Sequence, residues 1–451
     1  MNPFPTSFIN TRLGFHYYPD TLHYRESDLC AWLPELRTLG ASWITLVAPP
    51  DRAIPEAFVR GLLESGIQPV LHFHIQPDQC PQINELSLLF NTYTRWGIKY
   101  VAMFDRPNLR TAWGPTSWAQ NNLVERFLDI YLPLAETALK YDLIPVFPPL
   151  EPGGDYWDTA FLRASLQGIQ RRGHLQLLEK LVLGAYAWTD NKPLNWGAGG
   201  PERWPGARPY HTPANEEDQR GFRIFDWYLT IAQAVLHEPS PIILIGAGSR
   251  LGDHGDQNWP IVDEVIHAQK NMTIAQRMVC PVQTISPIAS ECDPLEPVPP
   301  EVLACNFWLL SVAPGDPHAS QAWFQPEGQN LPIVGALRQW IAERQLTPSF
   351  SNDTPTVSRS MDHPISHYLL LPTYEWGVAD WHLDVIRPFV KKHYPTVGFS
   401  LDEALLAKRV TVVGGGLSFS DEDIDKLISA GCIVERISGD GTNIATTLAT
   451  L

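Results

Sequence analysis

The 451-residue chain has little cysteine and no pattern in what it has. Cys30, Cys80, Cys280, Cys292, Cys305 and Cys432 are scattered, and no Cys-x-x-Cys occurs. Free thiols in a reducing compartment are the default reading, with a Cys280–Cys292 disulfide left open. Positive charge is also scarce. Lys and Arg number 33 against 49 Asp and Glu, for a net charge of −16 and no basic stripe. That excludes nucleic acid and anionic lipid surfaces as partners. No apolar run reaches ~18 residues, so no membrane span is expected. The N-terminal stretch Met1–Arg12 has no basic start and no apolar core of signal-peptide length. The expected localisation is therefore cytoplasmic by default. A cell-surface location would need another export route or a leader already removed.

What is present is ordinary in bulk and less so in detail. Hydrophobic residues make up 44% and charged residues 18%, so a packed globular chain is expected rather than disorder. The 16 Trp and 41 Pro stand out. They suit a barrel whose loops carry flat ligands, or a large core filled by indoles. The length exceeds one ordinary domain and leaves room for a barrel of about 250 residues or more plus a small second domain.

Residues 13–345 alternate short β-like runs with amphipathic helical stretches, which predicts a parallel α/β architecture. Eight units can be read. The strands are Leu13–Tyr18, Trp43–Val47, Gln68–His74, Lys99–Phe104, Leu143–Phe147, Leu181–Tyr186, Pro241–Ile245 and Val302–Leu310. Helices are expected between them, including one over Glu216–His237. Eight such units predict a closed (β/α)₈ TIM barrel over 1–345. Residues 346–365 are rich in Pro, Ser and Thr and read as a linker. Residues 366–451 show a second α/β pattern, with strands at Tyr368–Leu371, Arg409–Val413 and Ile433–Ile437 and a helix over Leu401–Ala407. It predicts a small open, Rossmann-like parallel sheet.

At the end of the fourth strand stands Asp105-Arg106-Pro107-Asn108-Leu109. It resembles the Asn-Glu-Pro-Asn motif of retaining glycoside hydrolases built on (β/α)₈ barrels. The resemblance implies an acid/base on strand four and a nucleophile on strand seven, two carboxylates ~5–5.5 Å apart. Here Arg106 stands at the acid/base position. After the seventh strand, Ile245-Gly246-Ala247-Gly248 puts Gly246 at the nucleophile position. Neither residue can do that work: Arg holds its proton to a pKa above ~12, and Gly has no side chain. Other features of the resemblance remain. Pro149–Asp155 is similar to a Pro-Gly-Gly turn after strand five, Tyr186-Ala187-Trp188 to the sugar-bordering region after strand six, and Trp308 to a stacking aromatic on strand eight. His16, Tyr17, His72, His74, Asn108, Tyr186, Trp188 and Trp308 are the implied carbohydrate contacts. The Gly/Trp loop Asn195–Pro205 could cover the barrel mouth.

Several residues also have a plain structural reading. Asp105 beside Arg106 can be an ion pair, and Trp188 and Trp308 can be barrel packing. Among strand-end carboxylates Asp51, Asp105, Glu151 and Asp190, the pair Asp105 and Glu151 is the best candidate for a displaced mechanism. His72 and His74 lie two apart on one strand and so point to one side. Strands five and six add no His, so hydrogen bonding is expected there rather than a metal site. Asp253-His254-Gly255-Asp256 reads as a solvated loop. No cofactor is expected.

In the C-terminal part, Val410–Gly416, Phe419-Ser420, Ala430-Gly431-Cys432 and Val434–Thr442 resemble one copy of the cell-wall-binding repeat of bacterial surface proteins. Gly414–Gly416 alternatively forms a tight strand-to-helix turn. Three functions follow. The first is a glycosidase-like barrel without hydrolysis, binding a carbohydrate or cell-wall polymer or serving as a surface module. The second is an active glycosidase using Asp105 and Glu151. The third is a self-assembling structural protein. A homo-oligomer stays open as a partner.

Overall fold

The structure is a computed structural model that describes residues 10–280, 295–346, 365–372, 380–393, 395–414 and 419–437, with Asn443 and Thr447. The chain divides into two compact units, Met1–Ser349 and Phe350–Leu451. Apart from its two ends, the linker expected over 346–365 lies outside the described residues.

The first unit holds eight strands: β1 (Leu13–His16), β2 (Trp43–Val47), β3 (Gln68–Phe73), β4 (Tyr100–Met103), β5 (Ile144–Phe147), β6 (Val182–Trp188), β7 (Ile242–Gly248) and β8 (Val302–Phe307). They are parallel, each beside its successor, and β8 pairs with β1 to close a barrel. With helices between the strands, this is a (β/α)₈ barrel. Both faces of each strand are covered, so the strands read as continuous apolar runs. Alternation still sorts their side chains, because successive Cβ atoms point to opposite faces. Trp43, Val70, Tyr100, Ala102, Val146, Val182, Ile243, Ile245 and Ala304 fill the barrel interior. Phe15, Leu46, Phe73, Met103, Phe147, Leu244 and Phe307 pack in the larger outer core.

The expected strands lie within a few residues of the observed ones. β6 and β7 run further than their apolar runs suggest, because a register shift after Ala185 pairs Tyr186 with Gly246 and Trp188 with Gly248. The helix expected over Glu216–His237 begins only at Ile224. The segment before it is held by side chains instead. Asp218 accepts from Trp196 Nε1 and Thr212 Oγ1, and Arg223 donates to the carbonyls of Glu296 and Pro297. Cys280 is a free thiol, and Cys292 lies outside the described residues.

The second unit is a four-stranded parallel sheet: β9 (Ile365–Leu370), β10 (Thr396–Gly398), β11 (Ala407–Val413) and β12 (Ile433–Ile437), in the order β10-β9-β11-β12. Tyr368, Leu370, Val410, Val412 and Leu427 form one apolar cluster, and Leu369, Leu371, Ile386, Phe389 and Val413 another. Alternate residues of β9 and β11 thus bury both faces. The helix expected over Leu401–Ala407 stops at Ala404, and Ala407 opens β11. A capping box of Ser420 and Asp423 starts the helix Asp421–Ser429. Arg436 braces that start by donating to Phe419 O at 2.6 Å and to Asp421 at 2.9 Å. Of the Gly414–Gly416 turn, only Gly414 lies within the described residues.

Gly14 shows how tightly the barrel is filled. A Cβ there would meet the Trp43 carbonyl oxygen at 2.7 Å and the Asn306 amide. Gly14→Ala should therefore destabilise the barrel by about 1–3 kcal/mol, as other overpacked cores are destabilised, measured by urea unfolding.

Candidate functional site

After β4 the chain turns sharply over the strand ends. Phe104 (φ 70°) and Arg106 (φ 46°) both adopt left-handed backbone, which is costly for residues with a Cβ and most so for bulky ones. Strain of this kind clusters at functional sites. Backbone bonds hold it in place: Phe104 N donates to Phe73 O at 2.9 Å, and Arg106 N to Pro149 O at 3.0 Å. Asn108 completes the clamp. It is fully buried, its Nδ2 donates to the carbonyls of Glu151 and Tyr156 at 2.9 Å, and its Oδ1 accepts from Glu151 N at 2.9 Å. All of these bonds stay within the protein, so Asn108 positions Glu151 and does not face a ligand.

The clamp brings charges together. Arg106 Nε donates to Asp105 Oδ2 at 2.9 Å, and Arg106 Nη1 lies 3.4 Å from Glu151 Oε2. Tyr186 OH donates to Asp105 Oδ1 at 2.6 Å, and the guanidinium lies over the Tyr186 ring at 5.3 Å. Burial would raise the Asp105 carboxyl, but His74, His72, Arg106 and the Tyr186 hydroxyl outweigh it and hold it at about 2. Burial pushes the Glu151 carboxyl up, against the pull of Arg106 and Arg250. Burial also opposes the charge on Arg106, yet Tyr186, Asp105 and Glu151 hold its guanidinium above the ordinary value. Asp105 and Glu151 therefore do come together, but as partners of one arginine.

Beside the carboxylates lie three histidines. His72 is fully buried, and its Nε2 donates to Phe104 O at 3.0 Å. Its Nδ1 is 3.2 Å from Nε2 of the exposed His74. His16, at the end of β1, is 1% exposed, and neither ring nitrogen has a hydrogen-bond partner among the described residues. One ring nitrogen from each histidine lies within 4.8 Å of the others. Burial lowers all three, His72 to about 3, so the rings are neutral near pH 7. The His72/His74 pair is visible in the sequence. That His16 joins it is not, because β1 and β3 are separated by a whole strand and two helices.

Aromatic rings form one wall. Tyr186 stacks on Trp188 at 5.1 Å, and Trp188 meets Trp308 edge-on at 5.8 Å. Trp308 is half-buried, lies 4.7 Å from the His16 ring, and donates through Nε1 to Gln321 at 2.9 Å. Arg250 covers Trp188 at 4.6 Å and pairs with Asp190 at 3.3 Å. Arg250 was not singled out from the sequence. The available signal was a cation two residues past β7.

Trp188 also bears on Gly246. A Cβ at Gly246 would meet the Trp188 ring at 2.6 Å and Tyr186 at 3.2 Å. The place next to strand seven is taken by indole, with no room for a carboxylate side chain.

Asn108 and Tyr17 depart from the sequence reading. Tyr17 does not join the other candidates. It is fully buried in the outer core against Tyr18, Tyr24 and Phe58, because it follows His16 and so points to the opposite face. The Asn195–Pro205 loop is held by two indoles, its own Trp204 donating through Nε1 to Ala198 O and Trp227 of the helix Ile224–Leu236 donating through Nε1 to Gly197 O, each at 2.9 Å. Asp51 is largely exposed beside Arg52, and His254 donates through Nδ1 to Gly252 O within its own loop, 2.8 Å away, in the solvated segment expected there.

No family model and no curated protein matches this chain. Solved structures do. A family 39 glycoside hydrolase from the gut symbiont Bacteroides cellulosilyticus WH2 is 10% identical, with a TM-score of 0.46, over 75% of this chain and 66% of its own. A β-glucuronidase from Ruminococcus gnavus is 10% identical (TM-score 0.39) over 73% of this chain and 48% of its own. An exo-β-1,4-mannosidase from Opitutaceae bacterium strain TAV5 is 12% identical (TM-score 0.39) over 96% and 78%. The chain thus spans 66% or less of the first two structures it matches. Likenesses of this size say nothing about which bond this chain breaks or which ligand it holds.

The Pro149–Asp155 turn rests on Asp158, which is fully buried and accepts from Gly153 N at 2.9 Å, Gln219 Nε2 at 2.6 Å and Tyr228 OH at 3.1 Å. Burial outweighs these bonds and raises its carboxyl to about 6. Between about 3.9, where the unfolded carboxyl titrates, and about 6, the folded state keeps a proton that the unfolded state has lost. Stability from this group therefore falls as pH rises through that window, by about 3 kcal/mol in all. Asp158→Asn should flatten stability between about pH 4 and 6, seen in urea unfolding at a series of pH values. Gly246→Ala should cost about 1–3 kcal/mol in the parent chain and less in a Trp188→Ala background, by the same measurement at one pH.

Proposed function

We propose that the barrel binds carbohydrate at its strand-end mouth and does not hydrolyse it. The observation that carries this reading is the space at Gly246. The resemblance assigns the nucleophile there, and the Trp188 ring at 2.6 Å from a would-be Cβ leaves no place for one. Arg106 supports it from the other side. At the acid/base position it is a permanent cation, and it binds Asp105 and Glu151 rather than leaving them free. Retaining chemistry needs two carboxylates facing one anomeric carbon, and inverting chemistry needs a pair ~6.5–9.5 Å apart with room for water. Two carboxylates held by one guanidinium suit neither. For binding, the half-buried Trp308 offers an apolar face for a sugar ring, while Arg106 and Glu151 at the mouth offer hydroxyl partners. A glycan or a cell-wall polymer is the ligand class, and the second unit would serve attachment.

One feature favours a working enzyme instead. Glu151 is partly exposed, and burial raises its carboxyl, as a general acid requires. The two readings separate in one set of assays. On the binding reading, the protein retains glycans on an array or in affinity electrophoresis, Trp308→Ala weakens retention at least about ten-fold, and aryl glycosides are not cleaved above buffer. Hydrolysis that co-purifies with the protein and disappears in Glu151→Gln would establish the enzyme and end the binding-only reading.

A further inference from the structure

We propose that His16, His72 and His74 form a binding site for one late first-row divalent cation, Zn²⁺ or Co²⁺, at the mouth of the barrel. The proposal is independent of whether the mouth takes a sugar.

The first argument is spacing. His72 Nδ1 and His74 Nε2 are 3.2 Å apart. Two imidazoles on one tetrahedral zinc, each at 2.0–2.1 Å, hold their nitrogens about 3.3 Å apart. The pair is therefore set at the separation a shared metal requires. The third nitrogen, from His16, lies within 4.8 Å of both.

The second argument is the unmet bonding of His16. Both of its ring nitrogens are buried without a partner among the described residues, and the residue is 1% exposed. A buried polar group without a partner costs roughly 1–3 kcal/mol, so such groups are rare and point to something that satisfies them. A cation would satisfy one of the two, the nitrogen that carries the lone pair.

The third argument is orientation. Metal-binding histidines usually donate their other N–H to a carbonyl or carboxylate, which fixes the tautomer and aims the ligand nitrogen. His72 does this. Its Nε2 donates to Phe104 O at 3.0 Å, and the ring presents Nδ1 toward His74. Phe104 holds that carbonyl with left-handed backbone at φ 70°, which gives the strain at the end of β4 a use. Asp105 Oδ1, 3.9 Å from His72 Nε2, adds a neighbouring negative charge that offsets part of the repulsion from Arg106.

Proton bookkeeping is simple. In the absence of metal, His74 Nε2 donates its hydrogen to His72 Nδ1. On binding, exposed His74 moves that proton to its own Nδ1, and both nitrogens turn lone pairs to the metal. Three neutral imidazoles thus supply three lone pairs, and no proton leaves the protein. Three protein ligands leave at least one position open, which water or a ligand hydroxyl would take. Neutral imidazole nitrogens favour Co²⁺ and Zn²⁺ over Mg²⁺ and Ca²⁺.

The test uses the full chain, treated with chelator, and Co²⁺ or Zn²⁺ alone as probe. The expected result is one Co²⁺ per chain with visible absorption bands of a low-coordinate site, displaced mole for mole by Zn²⁺. Mg²⁺ should not compete. His74→Ala removes an exposed side chain and leaves the packing intact. It should weaken binding on the order of 100-fold or more, since even residues that only orient a ligand are worth 10–100-fold. His16→Ala, checked for folding by circular dichroism, should do the same, while His254→Ala, on an exposed loop, should bind as the parent does. Absence of saturable binding at one equivalent, or binding unchanged in both His74→Ala and His16→Ala, would overturn the proposal.

Discussion

Arg106 sits where three strand ends meet. Its backbone N–H is bonded to the β5 loop at Pro149, its Nε to Asp105, its Nη1 to Glu151, and its guanidinium plane rests over Tyr186 of β6. A single cation thereby fixes the ends of β4, β5 and β6 relative to one another. Removing one partner of a buried ion pair leaves an uncompensated charge, which is why such pairs are costly to break. Here the guanidinium is 41% exposed, so water screens part of that cost. What the ion pairs contribute most directly is geometry. They hold Asp105 ionised and face the strained turn of Phe104 and Arg106 toward the mouth.

Close packing transmits that geometry to the far side of the barrel. Trp188 stacks on Tyr186, whose hydroxyl is bound to Asp105, and the same indole fills the space beside Gly246. The glycine on β7 and the arginine on β4 are thus parts of one arrangement. An indole packs against bare backbone on one strand, and a cation holds two carboxylates on another. Interiors tolerate little change in volume, so neither residue can be changed alone without moving Trp188 or Tyr186.

Much of this was legible along the chain. The apolar runs of β2, β3 and β8 and the turn residues between them announce a parallel barrel, because strands buried on both faces must be apolar throughout. The identity of residue 106 could be read by motif, since Arg and Glu differ in chemistry wherever they stand. Asn108 shows the limit. Its side chain looks like a ligand contact in sequence, but its three bonds to Glu151 and Tyr156 cross from one loop to the next and exist only when those loops are side by side. Tyr17 was misplaced by one residue of strand alternation, which sends it outward while His16 points inward. The extra length of β6 and β7 was hidden because glycine and indole break an apolar run without breaking a hydrogen-bonded ladder.

The sequence by itself determined the strand count, the negative charge, the His-x-His pair on β3, and the presence of a cation, Arg106, after β4 and a glycine, Gly246, in β7. These follow from composition and short-range periodicity, which are properties of neighbouring residues. Only the tertiary structure decided that Arg106 binds both Asp105 and Glu151, that Trp188 occupies the space at Gly246, and that His16 comes within 4.8 Å of His72 and His74. Closing the barrel sets β1 two strands from β3 and β6 against β7, and distances across a closed sheet depend on register and stagger that no local stretch of chain encodes.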